Sequence, residues 1–406
     1  NLKYLKKFLI YLLTIVVILQ CYSLLSMIIP NKYFCIIINI LLIGLIVCEL
    51  KIKRNIRIEM LLVCYLALTA LLFISGYYRN FEFLLSVYLP FPLFLLFIMN
   101  TNSLEWFMEA FTNIIFIICI LSLIFFVFGS LMGIIKPTGY YTYTEIGWGK
   151  NNYSDFYHLY CEGQTVVALG YSGVRNISMF VEGPMLTYVI GFAMYYELFF
   201  RSLGFRKSFI GVFIITIATS FSTTGILIVI FLMYMKFYDF VKKNKFIKYL
   251  IVPIVICIVG YSLFFVVEDK FTSNVYSASA RTDDILASFK CFFSNFFNGV
   301  GYQNMDAIES YRLFKRSNAG LSTGVGAILA YGGLLWGSWY IVPFIVAIAN
   351  YIRKPETRKK MAFVIMAFML LFVTVVQSRI LCTIINAICW YFILERKCYK
   401  MEVLYE

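Results

Sequence analysis

Repeated apolar runs, each near the length of a bilayer crossing, limit what this chain can fold into more than anything else in it. They occupy residues 8–29, 33–48, 58–75, 83–99, 111–135, 183–200, 247–267, 361–378 and 380–394, with two longer stretches at 208–238 and 321–351. A helix needs about 20 apolar residues to traverse the hydrocarbon core, with a working range of roughly 17–25. So many runs cannot be hidden in one soluble core. The chain is 62% hydrophobic and 14% charged, where soluble domains average about 45–50% and 25%. A soluble enzyme and a disordered chain are both excluded. The first run follows Lys3, Lys6 and Lys7 as in a signal peptide, but it is long enough to span and a second run succeeds it at once. It reads as the first transmembrane helix.

The formal charge of +14 would suggest a nucleic-acid partner in a soluble protein. In a membrane protein the enrichment of Lys and Arg in cytoplasmic loops accounts for it. The same rule settles the two long stretches. Residues 208–238 are interrupted by Ser222-Thr223-Thr224-Gly225, and 321–351 by Gly332-Gly333 and Gly337-Ser338. A single crossing over 208–238 would put Lys242, Lys243, Lys245 and Lys248 on the opposite side from Arg201, Arg206 and Lys207, whereas two crossings bring both clusters to the cytoplasm. The expectation is two helices meeting near Ser222, and one crossing over 321–351 preceded by a short helix or re-entrant piece. The fold class that follows is an all-α polytopic protein of the plasma membrane, one integral domain over 1–406, with about 12 transmembrane helices and both termini cytoplasmic. Roughly two thirds of the 35 Lys and Arg then lie inside. The exception is the inside segment 100–110, which has Glu105 and Glu109 and no base.

Two external segments are long, 136–181 and 268–320, and loops of that length are functional or disordered. The first mixes aromatic and polar residues around Tyr140, Tyr141, Tyr143 and Trp148. It reads as a folded cap on which sugars stack, Tyr141 among the glycan contacts, with an interfacial aromatic belt as the plainer reading. The second reads as short amphipathic helices, with Ile285, Leu286 and Phe289 on one face. Most of the eleven cysteines lie in apolar runs and act as small hydrophobes. Cys161 and Cys291 fall in the external segments, where a bridge is open but not demanded.

Several chemistries are missing. One histidine, His158, and no CxxC pair argue against zinc, and no P-loop motif occurs. Gly147-Trp148-Gly149-Lys150 and Gly299-Val300-Gly301 are too short for a phosphate fingerprint and read as turns. No DxD or ExD pair in an early external loop would hold a divalent ion on a diphosphate. No metal and no cofactor is expected. What remains is arginine beside carboxylate at the outer ends of helices. Arg175 precedes Glu182 and Pro184, which opens a helix. Arg281 precedes the amphipathic segment, Arg312 and Arg316 precede Ser317-Asn318, and Arg379 sits between two spans at the external edge. Guanidinium groups bind phosphate oxygens bidentately without a metal; the plainer reading is that they snorkel to lipid head groups.

These segments, RNISMFVEGP, then ATSFSTTG, then SARTDDILASFKCFFSNFFNGVGYQN, then SNAGLSTGVGAILAYGGLLWG, resemble bacterial Wzy-type polysaccharide polymerases, which are similar to the O-antigen ligases and share the GT-C class. The likeness covers about 175–335. It implies a glycosyltransferase that moves a growing glycan from undecaprenyl diphosphate onto another lipid-linked repeat unit at the outer face of the membrane. It further implies that Arg175 and Arg281 bind diphosphate, that Glu182 is the acidic residue after the first arginine, and that Ser222 marks the polar helix break. Arg312, Arg316, Arg379, Asn318 and Tyr141 complete the candidate substrate contacts. Where ligases carry a histidine this chain has Ser317-Asn318, which favours polymerase; Glu182 is assigned to the base or to orienting an arginine, and Glu145, Asp155, His158, Glu162 and Asp283 remain rival bases. The partners implied are lipid-linked oligosaccharides as donor and acceptor, and membrane lipids. A chain-length regulator and a flippase are further candidates, and nucleic acid is not a partner. A ligase, or a flippase for the same lipid-linked glycan, is the alternative.

Overall fold

The computed structural model describes residues 2–48, 55–74, 81–99, 103–146, 152–168, 171–244, 275–313 and 320–395. The expected span 247–267 and the candidate residues Arg316 and Asn318 lie outside them. Among the described residues 5 helices are long and apolar enough to cross a membrane: Ile56–Phe73, Phe81–Ile98, Ser103–Leu131, Thr223–Lys243 and Gly324–Arg353. Asn31–Val47, Lys207–Thr219 and Ile380–Leu394 are apolar but shorter. In the Asn31–Val47 helix Cys35, Ile38, Leu42 and Leu45 are fully buried, yet Ile36, Ile40, Ile43 and Val47 are exposed, Val47 at 69%. A helix that is apolar on its outer face as well as its inner one suits lipid rather than water. Inside the bundle small residues allow close approach, as in other membrane helices. A Cβ on Gly191 would meet Leu370 Cδ1 at 3.1 Å.

Contacts between helix ends sort the charges into two groups. At one end Arg358 forks onto Asp239 at 2.7 and 2.6 Å, the Tyr195 hydroxyl donates to the Lys359 carbonyl at 3.0 Å, and Lys6 donates to Ser103 at 2.9 Å. Lys6 and Lys7 lie over the Trp106 ring at 4.9 and 5.4 Å, so the acidic segment without bases of its own borrows them from the first helix. Arg206 pairs with the fully buried Glu197 at this end. At the other end Gln20, Asn31, Glu82 and Arg379 form one chain of hydrogen bonds, and the cap joins the bundle there through Val181 donating to the Tyr22 carbonyl at 3.1 Å.

The break at 222–225 is where polarity placed it. Lys207–Thr219 ends, Phe221 takes φ +49°, and Ser222 caps Thr223–Lys243 by accepting from the Gly225 amide at 3.2 Å. Gly324–Arg353 is one run with a sharp bend, because Gly333 has φ 58° and ψ −156°, a region open to glycine alone. The part beyond Gly333 is by itself about 30 Å long, enough to cross. The backbone of 295–301 closes the bend. Leu334 and Leu335 donate to the carbonyls of Phe296 and Phe297 at 2.7 and 3.2 Å, while Val300 and Gly301 donate to those of Ala330 and Tyr331 at 3.0 and 2.9 Å. Gly299 and Gly301 form the expected turn, at φ +66° and +102°.

The cap departs from the all-α expectation. It holds a three-stranded antiparallel sheet of β1 (Gly139–Tyr141), β2 (Tyr153–Phe156) and β3 (Tyr160–Glu162), and a hairpin of β4 (Thr165–Ala168) and β5 (Tyr171–Val174). Tyr, Phe, Thr and Val fit a pleated, half-buried surface, and Tyr157 and His158 take the left-handed φ of 57° and 58° that lets β2 reverse into β3. Phe156 and Tyr160 seat the sheet on Phe125 and Phe126. Cys161 and Cys291 are buried and unbridged; the Cys161 thiol lies 3.1 Å from the Phe180 carbonyl.

Candidate functional site

Arg175 follows β5 directly, and its backbone amide donates to the Gln164 carbonyl at 3.0 Å. Its side chain returns to the same residue: Nε donates to Gln164 Oε1 at 2.9 Å and Nη2 donates to that oxygen too. The guanidinium is thereby laid over Gly183, whose Cβ, if it had one, would stand 3.4 Å from Cζ and 3.5 Å from Nη1. Gly183 opens the helix Gly183–Tyr195 with Pro184 in its first turn, and Glu182 is its N-cap residue, without a side-chain capping bond. The amides of the first turn point outward there and favour an anion.

Arg281 is exposed on the helix Val275–Ser294, and its charge reaches Arg175. Burial holds the Arg175 guanidinium below the usual arginine range; Glu182 opposes that, Arg281 adds to it, and Tyr153 opposes it. Two arginines far apart in sequence thus act on one another electrostatically at the cap end, with Glu182, of opposite charge, at the start of the Gly183–Tyr195 helix. The cluster carries a surplus of positive potential that a phosphate oxygen would relieve.

The neighbours that hold this arrangement were not visible in the sequence. Asn176 is fully buried; its amide donates to the Thr219 carbonyl at 3.0 Å, its side chain to Thr219 Oγ1 at 3.1 Å, and it accepts from Ser122 at 2.6 Å. It ties the Arg175 loop to the helix break. Ser222 accepts from the Thr187 hydroxyl at 3.0 Å as well as from Gly225, so its oxygen is spent on joining helices. Tyr141 stands opposite Tyr153 in the β1–β2 register, and the Tyr153 hydroxyl donates to the Val181 carbonyl at 3.2 Å. Tyr141 is therefore one strand away from the arginines.

Arg312 faces inward. It pairs with Asp284 at 3.0 Å, lies 3.6 Å from Glu309 and donates to the Gly320 carbonyl at 2.8 Å, with its side chain 1% exposed. Asp283 accepts from the Leu313 amide at 2.9 Å. These contacts bring Leu313 and Gly320 to Val275–Ser294, and that helix buries Asp283, Asp284, Ala287, Ser288 and Cys291 and leaves Leu286 exposed, not the apolar face expected from Ile285, Leu286 and Phe289. Asp284→Ala lowers stability by about 3 kcal/mol, at the low end for a broken buried pair because Glu309 stays near. Glu309→Ala costs less than about 1 kcal/mol. Thermal unfolding in detergent reads both.

Arg379 precedes the helix Ile380–Leu394, donates to Asn31 at 3.0 Å and stacks on Tyr22 at 3.8 Å. Among the rival bases, Glu145 accepts from the amide and hydroxyl of Thr142 at 2.7 and 2.9 Å, bonds that hold its carboxyl below the usual range. Asp155, raised by burial against the opposing pull of His158, lies 2.7 Å from His158 Nδ1. His158 sits in the turn of the β2–β3 hairpin and Asp155 within β2 opposite Cys161, while Tyr153 begins β2 at the end nearer Arg175. With a strand rise of about 3.3 Å per residue, Asp155 is about 7 Å along β2 from Tyr153, beyond direct hydrogen-bond reach of that end. Among the described residues no three His, Cys, Asp or Glu side chains gather as a metal site requires. No protein-family model matches this chain, and neither a curated protein nor a solved structure matches it.

Proposed function

We propose that the chain is a Wzy-type polysaccharide polymerase, with about 12 crossings, both termini in the cytoplasm and the cap on the outer face of the plasma membrane. The observation that carries this reading is Arg175 laid over Gly183 beside Glu182 at the N-terminus of the Gly183–Tyr195 helix, within electrostatic reach of Arg281. The basic helix ends gathered at the opposite end of the bundle support the orientation.

The reaction needs two substrates held in line and charge stabilised on a leaving diphosphate. Arg175 and Arg281 bind the donor diphosphate, Arg175 with its fork steadied by Gln164. The acceptor hydroxyl attacks the anomeric carbon, the bond from that carbon to the diphosphate oxygen breaks, and its electron pair leaves on the diphosphate. The hydroxyl proton passes to Glu182, which gives inversion in a single displacement. Tyr141, opposite Tyr153 in the cap sheet, offers a face for a sugar ring.

Purified protein given undecaprenyl-diphosphate repeat units in detergent, with chelator present, is expected to yield a ladder of longer lipid-linked products. Translocation in liposomes without new glycosidic bonds would sink the reading in favour of a flippase. A single transfer to a lipid A core or cell-wall acceptor would make the chain a ligase.

A further inference from the structure

The end of the bundle away from the cap carries a cavity that glycan transfer does not use. It has a volume of about 750 Å³, within the range of roughly 300–1,000 Å³ typical of small-molecule sites. Its rim is basic, formed by Arg57, Arg353, Lys354, Lys359 and Lys360, and its floor is apolar, formed by Tyr195, Phe199, Phe200 and Phe392. Three carboxylates also line it, Glu105, Glu356 and Glu395, of which Glu395 is engaged by Lys360 at 3.9 Å and by the Tyr391 hydroxyl at 3.1 Å. The rim remains net positive. The helix Arg358–Val373 begins at the rim, adding the positive end of its dipole.

A soluble anion would be satisfied by the rim alone and would gain nothing from four aromatic side chains beneath it. A molecule with a phosphate at one end and an acyl chain at the other matches both parts. Basic pockets between transmembrane helices at the cytoplasmic side are recognised sites for anionic lipid head groups. We propose that this cavity binds an anionic phospholipid of the inner leaflet, its phosphate against Arg353, Lys354 and Lys359 and its acyl chain along Phe199, Phe200 and Phe392. The proposal rests on the membrane orientation given above and not on the glycan chemistry.

The test is native mass spectrometry of the purified protein from mixed micelles of detergent with phosphatidylglycerol or phosphatidylcholine. Phosphatidylglycerol is expected to be retained at least about tenfold over phosphatidylcholine and to raise the melting temperature. The exposed residues of the rim allow the triple variant Arg353→Gln, Lys354→Gln, Lys359→Gln to keep its fold, and it is expected to lose the preference. Equal retention of the two lipids, or an undiminished preference in the triple variant, overturns the proposal. So does inorganic phosphate giving the same thermal shift, which would make the site one for a free anion. Lipid retention is read without glycosyl transfer, so a failure of the polymerase assay and a failure here are separate results.

Discussion

Arg175→Lys and Arg281→Lys each slow formation of the product ladder by about 10²- to 10³-fold, the loss typical of removing one preorganised donor from a developing oxyanion. Lysine keeps the positive charge but not the planar fork. At Arg175 the fork is shared: Nε and Nη2 go to Gln164, and Nη1 lies over Gly183 at the start of the helix. A lysine ammonium cannot set two donors on the Gln164 oxygen and still present another over the helix N-terminus. The loss is expected in kcat as much as in KM, because the donors matter most when charge develops on the leaving diphosphate. Arg281 is exposed, so the melting temperature of its variant in detergent should stay near that of the parent. Full ladder synthesis in both variants would refute the diphosphate assignment.

Gly333→Ala is expected to lower stability by about 3–5 kcal/mol, a large share of the roughly 5–15 kcal/mol typical of a folded domain. Two costs combine. The backbone at φ 58°, ψ −156° excludes side chains, and a Cβ there would stand 2.4 Å from the Phe297 carbonyl oxygen. Gly299→Ala meets the same two costs from the other side, at φ +66° and 2.4 Å from the Tyr331 carbonyl. Either change opens the four backbone hydrogen bonds between 295–301 and the bent helix. Gly44→Ala is the control, since nothing lies within 4 Å of its Cβ position; its melting should match the parent. Thermal unfolding and monodispersity in detergent distinguish the three. Parent-like melting of both Gly333→Ala and Gly299→Ala would show that the bend is not held by this backbone contact.

Periodicity and charge revealed those features that local chemistry enforces. A polar break in an apolar run must cap its helices, so Ser222 was legible as a junction, though not as the partner of Thr187. Gly332-Gly333 marked a bend, but what fills it comes from 295–301, a contact between backbones that no side-chain pattern records. The cap strands are three or four residues long, and their aromatic alternation is too brief to separate from an interfacial belt. Arg312 looked like its neighbours in the sequence, and two aspartates a turn beyond Arg281 turned it inward.

Apolar run length determines that this chain belongs in a membrane, because leaving backbone polar groups unpaired in lipid is so costly that long apolar runs there must fold as helices. The meeting of Arg175 with Arg281, the support of Gln164 and Asn176 beneath them, and the basic cavity at the opposite end depend on packing between helices remote in sequence. There the free-energy differences are a few kcal/mol per contact, and only the shape of the whole bundle selects among them.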